Sequence, residues 1–316
     1  MYFLGVDSGG SKTSFVLADA QGRVRARHRS GSGGFLSSGE DRIGAMLAEG
    51  VAAVCQRAGI TPARIAAAAL GFPGYGEAPG SAAALDRLVA AVLGPGRATC
   101  SCDSYLGWAG SLALEPGINI IAGTGSICYG VRADGATARS SGWGAYCDEG
   151  SCRWLGSRLI QAFTQQADGR RPRTALYELF RTHYQLSDDL HFIGPLNHEL
   201  GGDGARTARL QVLLKEIYDA GDPVAAALYR QAAAQLHRAI RSVARQLGLL
   251  GQAHRVSYSG GLFRAGACIL DPLRHRVEAT GATLRPPRFE PDLGAVLVAM
   301  RRVTPGLDLT TFAFTE

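Results

Sequence analysis

The fold is decided by residues 3–17, which read Phe3-Leu-Gly-Val-Asp7-Ser-Gly-Gly10-Ser-Lys12-Thr-Ser-Phe-Val-Leu17. Apolar residues on both sides of a turn made of small polar residues predict two β-strands joined by that turn. Short side chains leave successive backbone N–H groups uncovered, and such groups form a cradle for anions. Asp7 ends the first strand and would repel a phosphate unless a divalent cation lay between them. The stretch therefore suggests a nucleotide–magnesium site. The alternative is an ordinary hairpin whose glycines only supply positive φ angles.

The composition is that of a globular protein, with 316 residues of which 46% are hydrophobic and 19% charged. The formal net charge of +6 comes from arginines spread along the chain, because only Lys12 and Lys215 are lysines. We find no basic block typical of nucleic-acid binding, no apolar run near the ~20 residues of a membrane span, and no signal peptide. Seven scattered cysteines match no zinc spacing. We therefore expect reduced thiols, a cytoplasmic location, and neither a nucleic-acid nor a membrane partner.

The opening pattern occurs a second time. Residues 118–131 read as an apolar strand, the small-residue turn Gly123-Thr-Gly-Ser126 and a return strand. Gly123 lies twelve residues before Gly135, and Gly9 lies thirteen before Gly22 in the first copy. We infer an internal duplication that makes two similar domains. The alternative is a chance similarity between two glycine-rich hairpins.

Strands alternate with helices after the first hairpin, which predicts a layered α/β fold. Residues 98–102 form a strand that delivers Asp103 at its carboxyl end, where a helix begins. The longest helix is predicted over residues 222–250, because an Asp-Pro pair opens an amphipathic run. A last helix is predicted over residues 292–303, in which Gly294 indicates a close approach to another element.

Two common nucleotide motifs are excluded by their spacing and context. Residues 5–13 contain one residue too many before the lysine for a Walker A loop. The turn also leads into a strand that starts near Phe15, whereas a Walker loop needs a helix N-terminus behind the phosphates. A Rossmann site fails because no Gly-x-Gly-x-x-Gly opens a helix after the first strand.

Six short motifs run in one order along nearly the whole chain. They are Asp7-Ser-Gly-Gly-Ser-Lys-Thr13, Cys102-Asp-Ser-Tyr105, Ala122-Gly-Thr-Gly-Ser126, Gly142-Trp-Gly144, Asp148-Glu-Gly-Ser151 and Ser259-Gly-Gly-Leu-Phe263. This set resembles the N-acetylglucosamine kinases and the BadF/BadG/BcrA/BcrD ATPase family, within the actin/hexokinase/heat-shock-70 ATPase superfamily. The resemblance implies an α/β protein of two similar ribonuclease-H-like domains with a cleft between them. We expect the first domain over residues 1–114 plus 293–316 and the second over residues 115–292.

The resemblance also implies ATP and Mg²⁺ as cofactors, a small-molecule sugar as substrate, and a role for each motif residue. Asp7 would lie beside the hydrated Mg²⁺, and Asp103 would be the general base for the sugar's 6-hydroxyl. The residues implied around the phosphates are Gly9, Gly10, Ser11, Lys12, Thr13, Gly123, Thr124 and Gly125, and those near the adenosine are Gly260 and Gly261. The residues implied around the sugar are Gly34, Asp103, Ser126, Ile127, Gly142, Trp143, Gly144 and Asp148. Glu149 is an alternative capping residue for the helix expected near Cys152.

Two departures from the family pattern bear on the sugar. Gly34 stands where these kinases usually have a sugar-contacting asparagine, and Ile127 stands where the animal enzymes have one. Each lost amide removes a polar contact worth ~1 kcal/mol. N-acetyl-D-glucosamine, giving its 6-phosphate, is the first candidate substrate, and glucosamine or another hexose derivative is the alternative. A function of a different class, that of an ATPase activator of a dehydratase or reductase, is also an alternative. The resemblance leaves a homodimer possible.

Overall fold

The chain forms two compact units in a computed structural model that describes residues 1–9, 12–33, 39–144, 146–309 and 311–316. Unit 1 comprises Met1–Pro116 and Pro286–Glu316, and unit 2 comprises Gly117–Arg285. The expected domain boundary at residues 292/293 differs from this division. The backbone N–H groups of Arg288 and Phe289 donate to the carbonyls of Ser111 and Gly110 at 3.0 and 3.1 Å, which attaches residues 286–292 to unit 1.

Ten strands and nine helices of ten residues or more make up most of the regular structure of the described residues. The strands are β1 (Tyr2–Ser8), β2 (Thr13–Asp19), β3 (Val24–Ser30), β4 (Ile65–Phe72), β5 (Ala98–Cys102), β6 (Gly117–Ala122), β7 (Ser126–Val131), β8 (Thr137–Ser141), β9 (Arg255–Ser259) and β10 (Thr283–Leu284). The helices are α1 (Glu40–Arg57), α2 (Ser81–Leu93), α3 (Asp103–Leu112), α4 (Cys152–Ala167), α5 (Ala175–Tyr184), α6 (Gly204–Asp219), α7 (Pro223–Gln246), α8 (Ala267–Glu278) and α9 (Pro291–Val303). Within the described ranges, none of these helices has both the length and the apolar composition to cross a membrane.

Unit 1 is a five-stranded sheet in the order β3-β2-β1-β4-β5 with helices on both faces. The first three strands are antiparallel, whereas β1, β4 and β5 run parallel. One face packs against α1 and α2 and buries Leu4 and Phe15. The other face packs against α3 and α9 and buries Phe3 and Val16. Alternate residues of each strand therefore point to opposite apolar layers, as expected for a sheet covered on both sides.

Unit 2 repeats this topology. Its strand order is β8-β7-β6-β9-β10, again with three antiparallel strands followed by parallel pairing of β6, β9 and β10. Helices α4 to α7 are inserted between β8 and β9 and build a large apolar core. Asp222 caps α7 by accepting the N–H groups of Val224 and Ala225 at 2.8 and 3.0 Å. The predicted duplication into two similar ribonuclease-H-like domains is confirmed.

Two helical regions differ from the sequence prediction. Three short helical turns, Asp189–Phe192, Ile193–Pro195 and Leu196–Leu200, occupy a stretch without regular apolar spacing. The sequence of residues 263–279 predicts one helix, but the structure divides it, because Gly266 has a φ of 72° and separates a short helical turn from α8.

The predicted close approach at Gly294 is confirmed within unit 1. A Cβ on Gly294 would lie 2.6 Å from the carbonyl oxygen of Leu106 and 2.7 Å from the Cα of Gly110. The backbones of α9 and α3 therefore touch at this crossing, and any larger residue would push them apart. The contact fixes the position of α3, the helix that begins at Asp103.

Candidate functional site

Two carboxylates lie at the carboxyl ends of two parallel strands in unit 1 that are separated by one strand, β4. Asp7 is near the end of β1, and Asp103 is the first residue of α3, directly after β5. Gly71 of β4 pairs with Asp7, and a Cβ on it would lie 3.1 Å from the Cα of Asp103. Gly71 thus lets the start of α3, with Asp103 and Leu106, pack closely on β4 beside Asp7. The Oδ1 of Asp103 accepts the N–H of Ser104 at 2.9 Å, which orients the carboxylate at the start of the helix.

The surroundings of Asp7 oppose its negative charge. Burial is the largest cause, and the charges of Asp103, Asp292 and Glu290 add to it, so that the pKa of Asp7 rises from 3.8 to about 8. The charge of Lys12 lowers the pKa of Asp7 but does not cancel the other effects. A carboxylate held among three others is stabilised by a cation placed next to it.

The carboxylates around Asp7 fit one mode of Mg²⁺ binding. No group of three or more His, Cys, Asp or Glu side chains converges as a metal-ligand set in the described part of the chain. Mg²⁺ in phosphate-transfer sites usually keeps several waters and uses one or two carboxylates together with the substrate's phosphates. Asp7 fits that mode of binding, whereas the described residues offer no cage made only of protein ligands.

The first turn is held by its own hydrogen bonds. The N–H of Gly9 donates to the carbonyl of Lys12 at 2.8 Å, and the hydroxyls of Ser8 and Thr13 lie 3.0 Å apart. The Thr13 side chain is fully buried, so any contact of this residue with a phosphate would come from its backbone. Lys12 is exposed. The predicted site residues Gly10, Ser11 and Gly34 lie outside the described residues.

Asp292 is a site neighbour that the sequence reasoning missed. It is buried at the start of α9, and its Oδ2 accepts the hydroxyl of Ser14 at 2.6 Å and lies 3.4 Å from the Arg27 guanidinium. Its sequence position next to Pro291 indicates only a helix start. Its contact with β2 follows from the packing of α9 on the sheet, which no local pattern encodes.

The second glycine turn is joined to the start of α4 in unit 2. Gly123 donates its N–H to the carbonyl of Gly125 at 2.8 Å, and its own carbonyl accepts the N–H of Cys152 at 2.8 Å. The Ser126 hydroxyl donates to the carbonyl of Glu149 at 2.8 Å. Ser151 caps α4 by accepting the N–H of Trp154 at 3.2 Å, so the alternative of a Glu149 cap is wrong.

Asp148 connects the turn to the loop that carries Trp143. Its buried Oδ1 accepts the N–H groups of Trp143 and Gly144 at 2.9 and 3.1 Å. A Cβ on Gly125 would lie 2.5 Å from the Oδ2 of Asp148, so only glycine leaves room for this carboxylate. Trp143 is 82% exposed, which contradicts a core role for this aromatic residue. The structure therefore gives Asp148 a loop-holding role that the resemblance did not imply.

Three further predicted site residues of unit 2 are Ile127, Gly260 and Gly261. Ile127 is half-buried, and a Cβ on Gly142 would lie 2.6 Å from its Cδ1 atom. A Cβ on Gly260 would lie 2.7 Å from the carbonyl carbon of Ala122, so packing against β6 already accounts for a glycine there. Gly261 has no atom within 4 Å of the corresponding position. The adenosine role of both glycines stays a prediction.

A repeated five-stranded sheet with polar turns at its strand ends defines the class of the protein. It is an α/β protein built from two ribonuclease-H-like domains, as in actin-like ATPases and sugar kinases. The crystal structure of a Chromobacterium violaceum protein described as a candidate N-acetylglucosamine kinase has the same fold. It matches with a TM-score of 0.75 and 28% identity, covering 94% of this chain and 98% of that one.

The chain belongs to the BadF/BadG/BcrA/BcrD ATPase family, whose sequence model matches residues 4–299. It is 27% identical to the N-acetyl-D-glucosamine kinase of Dictyostelium discoideum, over 94% of this chain and 97% of that protein. It is 25% identical to the N-acetylmuramic acid/N-acetylglucosamine kinase of Clostridium acetobutylicum, over 86% of this chain and 89% of that protein.

Proposed function

We propose that the protein transfers the γ-phosphoryl group of ATP to the 6-hydroxyl of an amino sugar, with N-acetyl-D-glucosamine as the first candidate. One observation carries the proposal. Asp7 and Asp103 lie at the carboxyl ends of β1 and β5, two parallel strands on either side of β4, in a chain that aligns almost end to end with N-acetylglucosamine kinases. The names of these relatives favour a kinase over an ATPase activator. Because ATP is an intracellular co-substrate, the cytoplasm stays the expected location.

Asp103 is proposed as the general base. Its carboxylate takes the proton of the sugar's 6-hydroxyl while that oxygen attacks the γ-phosphorus of ATP. The bond between the γ-phosphorus and the β,γ-bridging oxygen breaks, and ADP leaves. Phosphoryl transfer depends mainly on positioning and charge neutralisation, and one oriented carboxylate supplies the remaining acid–base chemistry. A base of this kind contributes roughly 10²–10⁴-fold to the rate.

Asp7 and the two glycine turns are proposed to bind the nucleotide. Asp7 would hold Mg²⁺ through water or directly, and the bound ion would neutralise the phosphate charge. Thr124 and Gly125 would offer backbone N–H groups to the phosphates, as Lys12 would in unit 1, whereas the N–H groups of Gly123 and Gly9 hold the turns in shape. Trp143 would contact the sugar, since an exposed aromatic ring suits the apolar face of a pyranose.

The identity of the sugar is less well determined than the kinase activity. The Ile127 side chain offers no polar contact where the animal enzymes have an asparagine, so glucosamine and other hexose derivatives stay alternatives. The test is ADP release measured with N-acetylglucosamine, glucosamine, N-acetylmuramic acid, N-acetylmannosamine and glucose. We expect release to require a sugar and to be fastest with N-acetylglucosamine. Release at the same rate without any sugar would contradict the proposal.

Replacing Asp148 by alanine should weaken sugar binding more than it weakens the fold. The change leaves the N–H groups of Trp143 and Gly144 without their shared acceptor, which costs ~1–3 kcal/mol and frees the loop. We expect KM for the sugar to rise roughly tenfold or more. Steady-state kinetics measure this, and Asp134→Ala is the matched control. Asp134 also accepts a backbone N–H in unit 2, from Ala136 at 3.1 Å, but in the β7–β8 turn. An equal rise in KM for both variants would contradict the role given to Asp148.

A further inference from the structure

A small pocket opens on the surface of unit 2 between α4, α7 and the connection that follows α4. Two of its lining residues, Ala162 and Leu228, are buried and apolar. Its volume is about 100 Å³, below the ~300–1,000 Å³ of pockets that enclose a drug-sized ligand. The pocket therefore suits a small ion, or one terminal group of a larger ligand whose remainder stays in solvent.

The other lining residues carry hydrogen-bond donors. They are two arginines, Arg158 and Arg171, and three glutamines, Gln161, Gln165 and Gln231. No carboxylate of the described residues lines the pocket, so the two guanidinium groups give its lining a formal charge of +2. Guanidinium and amide N–H groups bind oxyanions by charge-assisted hydrogen bonds. The lining is thus the chemical complement of a small oxyanion.

Arg158 is held in place by two contacts on its own helix. Its guanidinium carbon lies 5.1 Å from the centre of the Trp154 ring, and its Nη1 donates to the Oε1 of Gln161 at 2.9 Å. This bond uses the oxygen of the Gln161 amide, which leaves the amide's N–H groups to donate to a ligand. Because the guanidinium is already ordered, less side-chain freedom is lost when an anion binds.

Arg171 is one of three arginines that follow α4, and it differs from the other two. Arg170 and Arg173 have acidic partners, Asp168 at 2.6 Å and Asp189 at 3.8 Å. Arg171 forms no ion pair with any residue that the structure describes. Its backbone N–H donates at 2.8 Å to a carbonyl near the end of α4, which holds this residue against the helix beside the pocket. Its charge is therefore available to a ligand.

We propose that this pocket binds a phosphate group, either as inorganic phosphate or as a phosphate monoester. A phosphate monoester carries roughly −1.5 to −2 charges at pH 7 and three acceptor oxygens, which match two guanidinium groups. A carboxylate brings one charge and two oxygens, so it would leave donors of the pocket unused. Arg158 lies about 9 Å along α4 from Cys152, the residue that contacts the Gly123 turn. The pocket is therefore separate from the proposed nucleotide site and does not depend on the catalytic function.

Titration calorimetry and thermal unfolding with phosphate test the proposal. The protein is first saturated with Mg²⁺ and a non-hydrolysable ATP analogue, so that the analogue's phosphates occupy the glycine turns. We expect inorganic phosphate to bind once per chain and to raise Tm, since it binds only the folded state. Arg158→Gln and Arg171→Gln should each raise the Kd for phosphate roughly tenfold or more, because each removes a charge-assisted contact. Both side chains are exposed, so the variants should melt like the wild type when phosphate is absent.

Glycerol 3-phosphate is titrated in parallel with inorganic phosphate. A lower Kd for glycerol 3-phosphate would identify a monoester as the ligand, and a lower Kd for inorganic phosphate would identify the free ion.

The matched control is Arg170→Gln, which removes the neighbouring arginine that is paired with Asp168 and should leave the Kd unchanged. No saturable binding at phosphate concentrations on the order of 10 mM would overturn the proposal. Tighter binding of acetate than of phosphate, or an equal loss of affinity in Arg170→Gln and Arg171→Gln, would also overturn it. None of these results bears on the kinase proposal, because binding is measured without turnover.

Discussion

Replacing Asp103 by asparagine is expected to lower kcat roughly 10²–10⁴-fold while leaving the fold intact. Asparagine cannot take the proton of the sugar hydroxyl, but its side-chain oxygen can still accept the N–H of Ser104 at the start of α3. The variant should therefore melt within a degree or two of the wild type. We also expect KM for the sugar to change little, since the amide keeps a polar contact with the 6-hydroxyl.

Sugar-dependent ADP release by the purified variant measures this effect. Asp41→Asn is the matched control, because it makes the same chemical change at an exposed position in the first turn of α1. Unchanged turnover by the folded Asp103→Asn variant would show that another group, or none, acts as the base.

Replacing Asp7 by asparagine is expected to abolish measurable kinase activity and to stabilise the protein without ligands. In the folded state the pKa of Asp7 is raised to about 8, and in the unfolded state it is near 3.8. The unfolded chain therefore holds fewer protons between these two pH values, and the stability of the wild type falls as the pH rises through this window. Asparagine has no proton to lose in this range and stays neutral, so the stability of the variant should lack this pH dependence.

Thermal unfolding in EDTA at pH 5 and pH 8 measures the difference. The advantage of Asp7→Asn over the wild type should be larger at pH 8 than at pH 5 by about 4 kcal/mol, with a Tm difference that grows by several degrees. Mg²⁺ with ATP should stabilise the wild type and not the variant, because the variant lacks the Asp7 carboxylate that would hold the ion. If the variant and the wild type had the same Tm at both pH values, the raised pKa of Asp7 would be refuted.

The elements with strong local signals were predicted closely from the sequence. The sequence of residues 81–93, which Gly94-Pro-Gly96 follows, predicts a helix that ends before Gly94, and α2 is observed over Ser81–Leu93. The duplication was visible because a Gly/Ser/Thr turn between two apolar runs is rare enough to be recognised twice. The turns at residues 189–200 were not predicted, since Pro195 and irregular apolar spacing favour no single helix type.

The candidate site was only partly predictable. Asp7 and Asp103 could be found because each follows an apolar run and so must lie at a strand end. The contact between Ser14 and Asp292 joins residues 278 positions apart and depends on how α9 packs on β2, and the burial of the Thr13 hydroxyl depends on the pairing of β2 with β1. Asp148 was chosen by resemblance, but its bonds to the Trp143 loop depend on a turn geometry that the motif does not specify.

The most direct test of the account is the product formed from ATP, Mg²⁺ and N-acetyl-D-glucosamine by the purified protein. Phosphorus NMR coupled to the sugar protons shows which oxygen carries the phosphate. We predict N-acetyl-D-glucosamine 6-phosphate, formed in equal amount to ADP, and no product from the analogue that lacks the 6-hydroxyl. Phosphate on another hydroxyl, or ADP formed without a phosphorylated sugar, would contradict the central claim.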